Sequence, residues 1–324
     1  MNNLEEEKVK GLISTGNCEL IETHISWLLL GNENAYKIKK PVKFSFLDFS
    51  SLQKRKFFCE EEIRLNRRLA PEVYLDLSKI TTYRGNVTID GAGNTMDYAV
   101  KMKRLDSSKK MDKLLVAGQV SQSDVEKIAE MIAEFHSKTD TIMDGQYGSP
   151  KMVGKHIADL SNFREQIQDG CGLGREMDFV LGRSADFIER NKGLVESRKM
   201  AGKVKDCHGD LHCGNIFFDD GIKIIDCIEF SKDFRCIDTA NEIAFMAMDL
   251  DAFDREDLSR AFVSKYVEKS GDGELPNLLN LFKCYRANVR AKIAAIEWMQ
   301  NENEDSEQRM AKYIKLAERY ATEL

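Results

Sequence analysis

Short runs of apolar and polar residues dominate the first hundred positions, and such runs predict β-strands rather than long helices. Three successive strands are predicted from this pattern: Cys18 to Glu22, Ile25 to Leu30 and Ala35 to Lys39. The Thr23-His24 step and the Gly31-Asn32 pair supply the turns between them. Lys37 and Lys39 occupy alternate positions of the third strand, so their side chains are expected on one face of the sheet.

A helical spacing replaces the strand pattern after position 50. Leu65 and Leu69 follow Glu61 at intervals of four residues, which predicts a helix from Ser50 to Leu69. Further strands are predicted between residues 73 and 104. There the run Val87-Thr88-Ile89 is expected to meet the run Tyr98-Ala99-Val100.

Longer periodic segments predict that the rest of the chain is mainly helical. The clearest one runs from Ser123 to Ser137, where Ser123 and Glu126 form a capping-box pattern and His136 is expected as a packed residue at the helix end. Residues 140 to 200 are polar and contain many glycines, which predicts helices separated by loops. Three more helices are predicted farther along: Ile237 to Leu250, Leu278 to Met299 and Glu302 to Leu324.

A β-hairpin is predicted between Ile216 and Ile225. Two short β-rich runs flank Asp220-Gly221, and an Asp-Gly pair between apolar runs is a strong signal for a two-residue hairpin turn. In that register Asn215 falls opposite Asp226, and directly opposed residues share a face with Cβ atoms about 5 Å apart. The pattern therefore predicts an amide oxygen and a carboxylate side by side at the open end of the hairpin.

The chemistry of these oxygens fits a divalent cation and a phosphate. Mg²⁺ binds a few protein oxygens and completes its coordination with water and phosphate, so Asn215 and Asp226 are predicted as Mg²⁺ ligands. Asp210 lies just upstream in a His-Gly-Asp turn. A carboxylate placed there can accept the proton of a hydroxyl that attacks a metal-held phosphate.

Composition and charge exclude several classes of protein. The 324 residues are enough for one large domain or two lobes, and the net charge of −6 argues against a nucleic-acid-binding protein. No apolar run approaches membrane-spanning length, and the charged start Met1 to Lys10 lacks the apolar core of a secretory signal. Neither a membrane protein nor a secreted one is expected.

The 8 cysteines are scattered along a chain too large to need disulfides, so reduced thiols in the cytoplasm are expected. Some of them lie next to histidines, which raises the alternative of a zinc site. That alternative is disfavoured, because adjacent Cys-His pairs cannot all converge on one tetrahedron. The residues concerned are Cys207, His208, His212 and Cys213.

The segment HGDLHCGN at residues 208–215 resembles the H-G-D-x-H-x-x-N catalytic loop of aminoglycoside phosphotransferases, choline kinases and related small-molecule kinases. The segment IDC at residues 225–227 resembles their metal-binding aspartate segment. The resemblance, closest to a stand-alone prokaryotic branch, implies an α+β, bilobal protein-kinase-like fold. A small antiparallel-sheet N-lobe with one main helix is expected at residues 1–105, and a larger, mostly helical C-lobe at residues 106–324.

The same resemblance implies a phosphate clamp in the N-lobe. In the family one lysine of the third strand contacts the nucleotide phosphates; here that is Lys37, with Lys39 as the close alternative. A glutamate of the following helix pairs with the lysine, and Glu61 is chosen over Glu62 because leucines share its face. No G-x-G-x-x-G segment lies between the first two strands, as is often the case among such kinases.

The remaining roles also follow from the resemblance. Thr23 and Ser26 would cover the nucleotide, and Met102 lies in the segment that corresponds to the hinge, where backbone groups read the adenine. Glu229 is a candidate for binding a substrate hydroxyl or ammonium group, and a salt bridge to Arg235 is an equal alternative. His208 is a further substrate candidate, although bracing of the loop is the stronger interpretation.

Asp238 is expected to hold the catalytic loop by accepting backbone N–H groups. The arginines of the helix predicted at 278–299, Arg286 and Arg290, are expected to neutralise acidic residues or to bind substrate, the first being favoured. By resemblance, part of the segment 140–200 helps to form the acceptor pocket.

The activity predicted from these residues is transfer of the γ-phosphoryl group of ATP, or of GTP, to a hydroxyl of a small molecule, with Mg²⁺ as cofactor. The acceptor is expected to be an amino sugar, an aminoglycoside or a related alcohol. A protein Ser/Thr kinase is the first alternative, disfavoured because the chain has no H-R-D loop and no D-F-G segment. A nucleotide-binding regulator is the second, disfavoured because it has no need of Asp210. The sequence leaves the acceptor and the oligomeric state open.

Overall fold

The computed structural model of the chain describes Val9, Leu12 and residues 18–44 and 47–324. The chain forms two compact units, each made of two segments. The first unit comprises Met1–Lys110 and Asn215–Lys232, and the second comprises Met111–Gly214 and Asp233–Leu324. The predicted lobe boundary near Leu105 stays a prediction, and the start of the predicted N-lobe at Met1 lies outside the described residues.

The first unit is built on a six-stranded antiparallel sheet. Its strands are β1 Glu19–Glu22, β2 Ser26–Leu30, β3 Asn34–Lys39, β4 Tyr74–Tyr83, β5 Asn86–Ile89 and β6 Asn94–Lys103. Their order across the sheet is β1-β2-β3-β6-β4-β5. The three strands predicted at the start of the chain are therefore confirmed.

Strand β5 pairs with β4 and not with β6, so the predicted meeting of residues 87–89 with residues 98–100 is wrong. The reason is the turn at Arg84-Gly85, where both residues have positive φ angles, 51° and 83°. Two consecutive left-handed residues make the tight turn that joins neighbouring antiparallel strands. Tyr83 consequently pairs with Asn86.

One main helix, α1 (Leu52–Asn66), packs on this sheet, as predicted. Ser51 caps its N-terminus, since the Ser51 side chain accepts a hydrogen bond from the Lys54 amide at 3.3 Å. Cys59 and Ile63 lie on its inner face and pack in an apolar cluster with sheet residues such as Val100. This packing fixes which side chains of α1 point at the sheet.

The second unit is mainly helical, as predicted. After α1 the helices of the chain are α2 Met111–Val116, α3 Gln122–Lys138, α4 Pro150–Ala158, α5 Arg164–Cys171, α6 Gly174–Arg190, α7 Lys192–Met200, α8 Lys232–Arg235, α9 Thr239–Ala252, α10 Glu256–Ser270, α11 Pro276–Asn301 and α12 Glu304–Ala321. The second unit also contains the strands β7 Val204–Asp206 and β10 Cys236–Asp238. Strands β8 Ile216–Phe218 and β9 Ile222–Ile224 belong to the first unit. Helix α9 is buried along its whole length and packs against α10 and α11.

The N-cap of helix α3 lies two residues earlier than predicted. Ser121, not Ser123, is the N-cap, and it forms a capping box with Asp124 rather than Glu126. The Ser121 hydroxyl accepts from the Asp124 amide at 3.3 Å, and the Asp124 carboxylate accepts from the Ser121 amide at 2.9 Å. Two serines separated by one residue give the same local signal, and the extended backbone of Ser121 decides between them. Along the described part of the chain, no helix combines the length and apolarity needed to cross a membrane.

Candidate active site

The two lysines of β3 converge on one glutamate of α1 in the first unit. Lys37 Nζ lies 2.9 Å from Glu62 Oε1, and Lys39 Nζ lies 2.6 Å from Glu62 Oε2. Glu62 is completely buried, whereas Glu61 points outward and pairs with Arg64 at 2.8 Å. The choice of Glu61 is therefore wrong. Successive helical residues are about 100° apart, and only Glu62 shares the inner face of α1.

Each lysine also binds a second carboxylate, so five charges alternate along one line that is buried except at its Asp226 end. Lys37 pairs with Asp226, and Lys39 pairs with Glu229, which gives the order Asp226, Lys37, Glu62, Lys39, Glu229. Burial by itself raises the pKa of Glu62, but the two lysines outweigh it and lower that pKa to about 2. Glu62 is consequently a carboxylate at neutral pH.

Glu229 meets Lys39 within the first unit, so the predicted alternative of a salt bridge to Arg235 is wrong. Arg235 binds Asp206 instead, with its Nε at 2.6 Å from Asp206 Oδ1. The Glu229 side chain is only 6% exposed. Its carboxylate is thus engaged inside the protein, and its predicted contact with a substrate stays a prediction.

Solvent access separates the two lysines. The side chain of Lys37 is 18% exposed and that of Lys39 is 1% exposed. Asp226, the partner of Lys37, is 43% exposed, so the Lys37 end of the ion-pair line is the one a ligand can approach. This favours Lys37 over Lys39 as the lysine that contacts phosphate.

The hairpin β8–β9 has a register one residue away from the predicted one. Ile216 pairs with Ile224, and Phe218 pairs with Ile222, so three residues rather than two form the loop. Both Asp220 and Gly221 in that loop have positive φ angles, 52° and 97°. The sequence Asp-Asp-Gly permits either loop length, and the longer one is adopted.

The register shift changes the neighbour of Asn215. Its carbonyl accepts a hydrogen bond from the Ile225 amide at 3.0 Å, so the predicted opposition of Asn215 and Asp226 is wrong. Asp226 follows Ile225 directly and has a left-handed backbone with φ 66°. The Asp226 amide donates to the Tyr74 hydroxyl at 3.1 Å, which anchors the kink.

The donor chemistry at this point fits a magnesium ion. The oxygens of Asn215 and Asp226 are hard donors, and the backbone pairing brings their residues within one position of each other. Asp226 is negatively charged and partly exposed beside Lys37. A carboxylate together with an amide oxygen leaves coordination positions for water and phosphate, as Mg²⁺ requires.

The other residues predicted to contact the nucleotide lie in strands of the same sheet, except Thr23, which lies in the turn between β1 and β2. The Thr23 hydroxyl accepts from the Ser26 amide at 3.0 Å and donates to the Ser26 carbonyl at 3.1 Å, so the turn closes on itself. Ser26 is 1% exposed and Thr23 is exposed. Met102 is buried in the apolar cluster beneath α1. Its side chain therefore supports the sheet, and only its backbone could serve as the predicted hinge contact.

In the second unit the His-Gly-Asp turn is fixed by Glu242 of α9. The amides of His208 and Gly209 donate to the two oxygens of Glu242 at 2.8 and 2.6 Å. Gly209 has a φ of 88°, a conformation that glycine adopts without a steric penalty. The guanidinium of Arg286 donates to the Gly209 carbonyl at 3.0 Å. The two peptide groups that flank Gly209 are thus held by buried charged side chains.

Asp238 does not hold the loop, contrary to the expectation. It caps α9 by accepting from the Ala240 amide at 2.7 Å, and it binds Arg198 at 2.8 Å. Glu242, one helical turn later, takes the loop amides instead. Asp238 is the N-cap of α9 and is occupied by the helix start and by Arg198, whereas Glu242 lies one turn into the helix and accepts the loop amides.

His136 contacts the Glu242 carboxylate that holds the loop. Its Nε2 lies 3.1 Å from Glu242 Oε1, and its Nδ1 lies 2.7 Å from the Tyr266 hydroxyl. The interpretation as a packed helix-end histidine is thereby confirmed, since the side chain is 3% exposed. Cys207 lies close enough to form a metal-ligand group with His136 and Glu242. However, the hydrogen bonds to Tyr266 and to the loop amides already use the ring nitrogens and the carboxylate.

The Asp210 carboxylate is 37% exposed and faces His212, with 3.4 Å between His212 Nε2 and Asp210 Oδ2. The Gly214 amide donates to His212 Nδ1 at 3.0 Å, so a neutral His212 carries its proton on Nε2, toward Asp210. Burial alone raises the pKa of Asp210, but His212, His208 and Arg290 outweigh it, and the pKa lies well below its usual range. Asp210 is consequently ionised at neutral pH.

The end of the loop is fixed in a similar way. The Cys213 amide donates to Asp249 Oδ2 at 2.9 Å, and Arg290 lies 3.8 Å from the other oxygen of Asp249. His208 itself is completely buried, and its Nδ1 accepts from the Asp210 amide at 3.3 Å. The substrate role suggested for His208 does not fit this burial, whereas the bracing role does. Arg290 lies beside the Asp249 carboxylate, as favoured, whereas Arg286 donates to uncharged groups, the Gly209 carbonyl at 3.0 Å and Asn241 Oδ1 at 2.7 Å.

No protein-family model matches the chain. An uncharacterized protein of Mycobacterium tuberculosis is 30% identical over 291 residues, which are 87% of this chain, and an uncharacterized protein of Mycobacterium bovis matches equally. The chain spans about half the length of these curated relatives, 56% of each.

Solved structures of small-molecule kinases share the fold. An ethanolamine kinase of Plasmodium vivax superimposes with a TM-score of 0.53 at 12% identity, over 93% of this chain and 81% of that one. A microcompartment-associated aminopropanol kinase superimposes with a TM-score of 0.53 at 15% identity, over 99% and 98% of the two chains. The predicted α+β, protein-kinase-like fold, with a sheet-based N-lobe and a mostly helical C-lobe, is confirmed.

Proposed function

We propose that this chain is a Mg²⁺-dependent kinase, related to the choline kinases and aminoglycoside phosphotransferases, that transfers the γ-phosphoryl group of ATP to a small-molecule hydroxyl. The observation that carries the proposal is the position of Lys37, held between Glu62 of α1 and the partly exposed Asp226. A strand lysine, a helix glutamate and a metal-binding aspartate are the parts that phosphoryl transfer needs for phosphate positioning.

In this proposal Lys37 exchanges Asp226 for the phosphates of the nucleotide. Asp226 and Asn215 would hold Mg²⁺, which would neutralise and orient the phosphate oxygens. The Thr23–Ser26 turn and the backbone of Met102 line the nucleotide. The free thiols of all 8 cysteines support a reducing compartment, and we propose the cytoplasm.

Asp210 is the group that orients the acceptor hydroxyl and accepts its proton. Its depressed pKa keeps it ionised, so it is ready to accept a hydrogen bond at any pH near neutrality. A carboxylate of such low pKa is a weak base in the ground state. Its main contribution is therefore alignment of the hydroxyl, with proton transfer late in the reaction. His212 donates to Asp210 and fixes its orientation.

The acceptor class is proposed from fold relatives, whose names specify ethanolamine and aminopropanol as substrates. We propose a small amino alcohol or an amino sugar as the first compounds to test. Fold alone does not determine the acceptor, so larger aminoglycosides, neutral sugars and nucleosides belong in the same panel.

The experiment measures ADP or GDP release by the purified protein with Mg·ATP or Mg·GTP across that panel. Release stimulated by one compound class, and abolished by EDTA, is the expected result. Stimulation by added proteins but by no small molecule would favour a protein kinase. Nucleotide binding without release under any condition would contradict the proposed catalysis and favour a regulator.

A further inference from the structure

The ammonium group of Lys39 is enclosed by protein. Its Nζ donates to Glu62 Oε2 at 2.6 Å and to Glu229, and it lies 4.8 Å from the centre of the Phe49 ring. The side chain is 1% exposed. A lysine buried so deeply is stable only with carboxylates around it, so its partners are internal and a nucleotide phosphate is not among them.

The two oxygens of Glu62 have different partners. Oε2 binds Lys39, and Oε1 lies 2.9 Å from Lys37. The terminal torsion of a glutamate is soft, so a carboxylate bound on one side only can turn. With Lys39 fixing one oxygen, the other is held toward Lys37. The position of Lys37 thus depends on Lys39 through Glu62.

The ion-pair line contains one more carboxylate than lysines. It contains two lysines and three carboxylates, and Asp226 at its exposed end is the carboxylate in excess. Lys37 can leave Asp226 for a phosphate and still keep its contact with Glu62, because the two lysines then balance the two buried carboxylates, Glu62 and Glu229. Without Lys39, Lys37 would be the only counter-ion of two buried carboxylates and would be held back by them.

We propose that Lys39, with Glu229 as its counter-ion, is a positioning residue of the nucleotide clamp. It orients Glu62 and frees Lys37 to contact phosphate. This inference rests on the proposed function and goes beyond it, because it gives the second strand lysine a role and assigns Glu229 to the clamp instead of to the acceptor. The low pKa of Glu62, which burial opposes and Lys37 and Lys39 cause, agrees with a carboxylate shared by both lysines.

The test removes the Lys39–Glu229 pair without changing net charge. The double variant Lys39→Met with Glu229→Gln keeps similar side-chain volumes and avoids an unpaired buried charge. Calorimetry of Mg·ATP and Mg·ADP binding is expected to show an affinity about tenfold weaker, which is about 1.4 kcal/mol. The KM for ATP rises in parallel, whereas kcat at saturating ATP changes less than threefold.

The matched control removes another buried pair, Lys283 and Asp251, which lie 2.8 Å apart in the second unit. The double variant Lys283→Met with Asp251→Asn is expected to bind nucleotide like the wild type. Thermal unfolding of both variants reports whether they fold. A folded Lys39 and Glu229 double variant with wild-type nucleotide affinity would overturn the positioning role.

Two further outcomes are distinguishable from this one. Loss of nucleotide binding in Lys39→Met together with normal binding in Lys37→Met would make Lys39 the phosphate ligand and overturn the inference. A wild-type protein that binds no nucleotide in calorimetry would contradict the proposed function itself, and the role of Lys39 with it.

Discussion

Glu62 carries its charge where water cannot solvate it, and two lysines compensate for that loss. Such a residue is sensitive to the removal of its charge even when its shape is kept, because the lysines then remain buried without a shared counter-ion. Its neighbour Glu61 is 25% exposed on the same helix and pairs with Arg64 at 2.8 Å. The two adjacent glutamates therefore provide a matched comparison.

Glu62→Gln is expected to weaken Mg·ATP binding by at least tenfold and to lower the free energy of unfolding. The physical reason is the loss of the carboxylate that holds Lys37 and Lys39. Glu61→Gln should change the Mg·ATP affinity by less than twofold and the free energy of unfolding by about 0.5 kcal/mol, the usual range for a surface substitution. For both variants, calorimetry measures the Mg·ATP affinity and urea unfolding measures the free energy of unfolding. Equal effects of the two substitutions would contradict the assignment of Glu62.

The sequence limits the partner of the strand lysines to Glu61 or Glu62 but does not decide between these two residues. Apolar periodicity predicts the helix and its inner face, yet Glu60, Glu61 and Glu62 form an unbroken acidic run in which a shift of one residue turns the side chain by about 100°. The inner face is decided by the packing of Cys59 and Ile63 against the sheet. In contrast, Asp210 and Asp226 are predicted individually as site residues, because a sequence motif fixes their positions.

At the scale of elements, the loop 208–214 depends on the helix behind it. Helix α9 supplies Glu242 and Asp249, and α11 supplies Arg286 and Arg290, so two long buried helices define the path of one short turn. Backbone amides rather than side chains carry most of these contacts. Sequence periodicity predicts both helices well but contains no information about which backbone groups they hold.

Local rules alone also left the hairpin register open. Asp219-Asp220-Gly221 can form a two-residue or a three-residue loop, and the difference moves every residue of β9 by one position relative to β8. The following segment is fixed by a contact with helix α1, since the Cys227 amide donates to Asn66 Oδ1 at 2.8 Å. Such a long-range contact is invisible to a local pattern.

Gly209→Ala tests the loop as an element. Alanine at φ 88° is strained, and the strain falls between the two peptide groups that Glu242 and Arg286 hold. We expect acceptor-dependent ADP release to fall on the order of 100-fold, while calorimetric affinity for Mg·ATP stays within threefold. Steady-state kinetics and calorimetry on the same preparation measure the two quantities.

The control for that substitution is Gly271→Ala at the end of α10. Gly271 has a similar left-handed backbone, with φ 65°, and an added Cβ there meets no atom within 4 Å. Its loss of stability is expected to be about 1 kcal/mol, with turnover unchanged. Comparable losses of turnover in both variants would show that general destabilisation, and not loop geometry, is responsible.

At the scale of the whole molecule, stability depends on carboxylates that are buried as ions. The pKa of Glu242 is lowered to about 2, since His136, His208 and the loop amide outweigh the burial that raises it. A carboxyl group whose pKa is depressed by folding contributes stability that is complete above its pKa in the unfolded state, near 4.3. This stability is lost as the pH falls through its pKa in the folded state. The window for Glu242 therefore extends from about pH 4.5 down to about pH 2.

Glu242→Gln is expected to be less stable than the wild type at pH 7 by on the order of 3 kcal/mol, the equivalent of a shift of this size. The difference should shrink steadily as the pH is lowered from 4.5 toward 2. Denaturant unfolding of both proteins across this range isolates the contribution, because the other carboxylates are common to both. A difference that stays constant with pH would contradict the ionised, braced state of Glu242.

The proposed activity is phosphoryl transfer, with Asp210 as the group that orients and deprotonates the acceptor. The most direct measurement compares acceptor-dependent ADP release by the wild type and by Asp210→Asn, with Mg·ATP affinity determined for both. We predict that kcat falls by on the order of 100-fold or more, the range expected for loss of a general base, while the affinity stays within threefold. Normal turnover in Asp210→Asn would contradict the assigned mechanism.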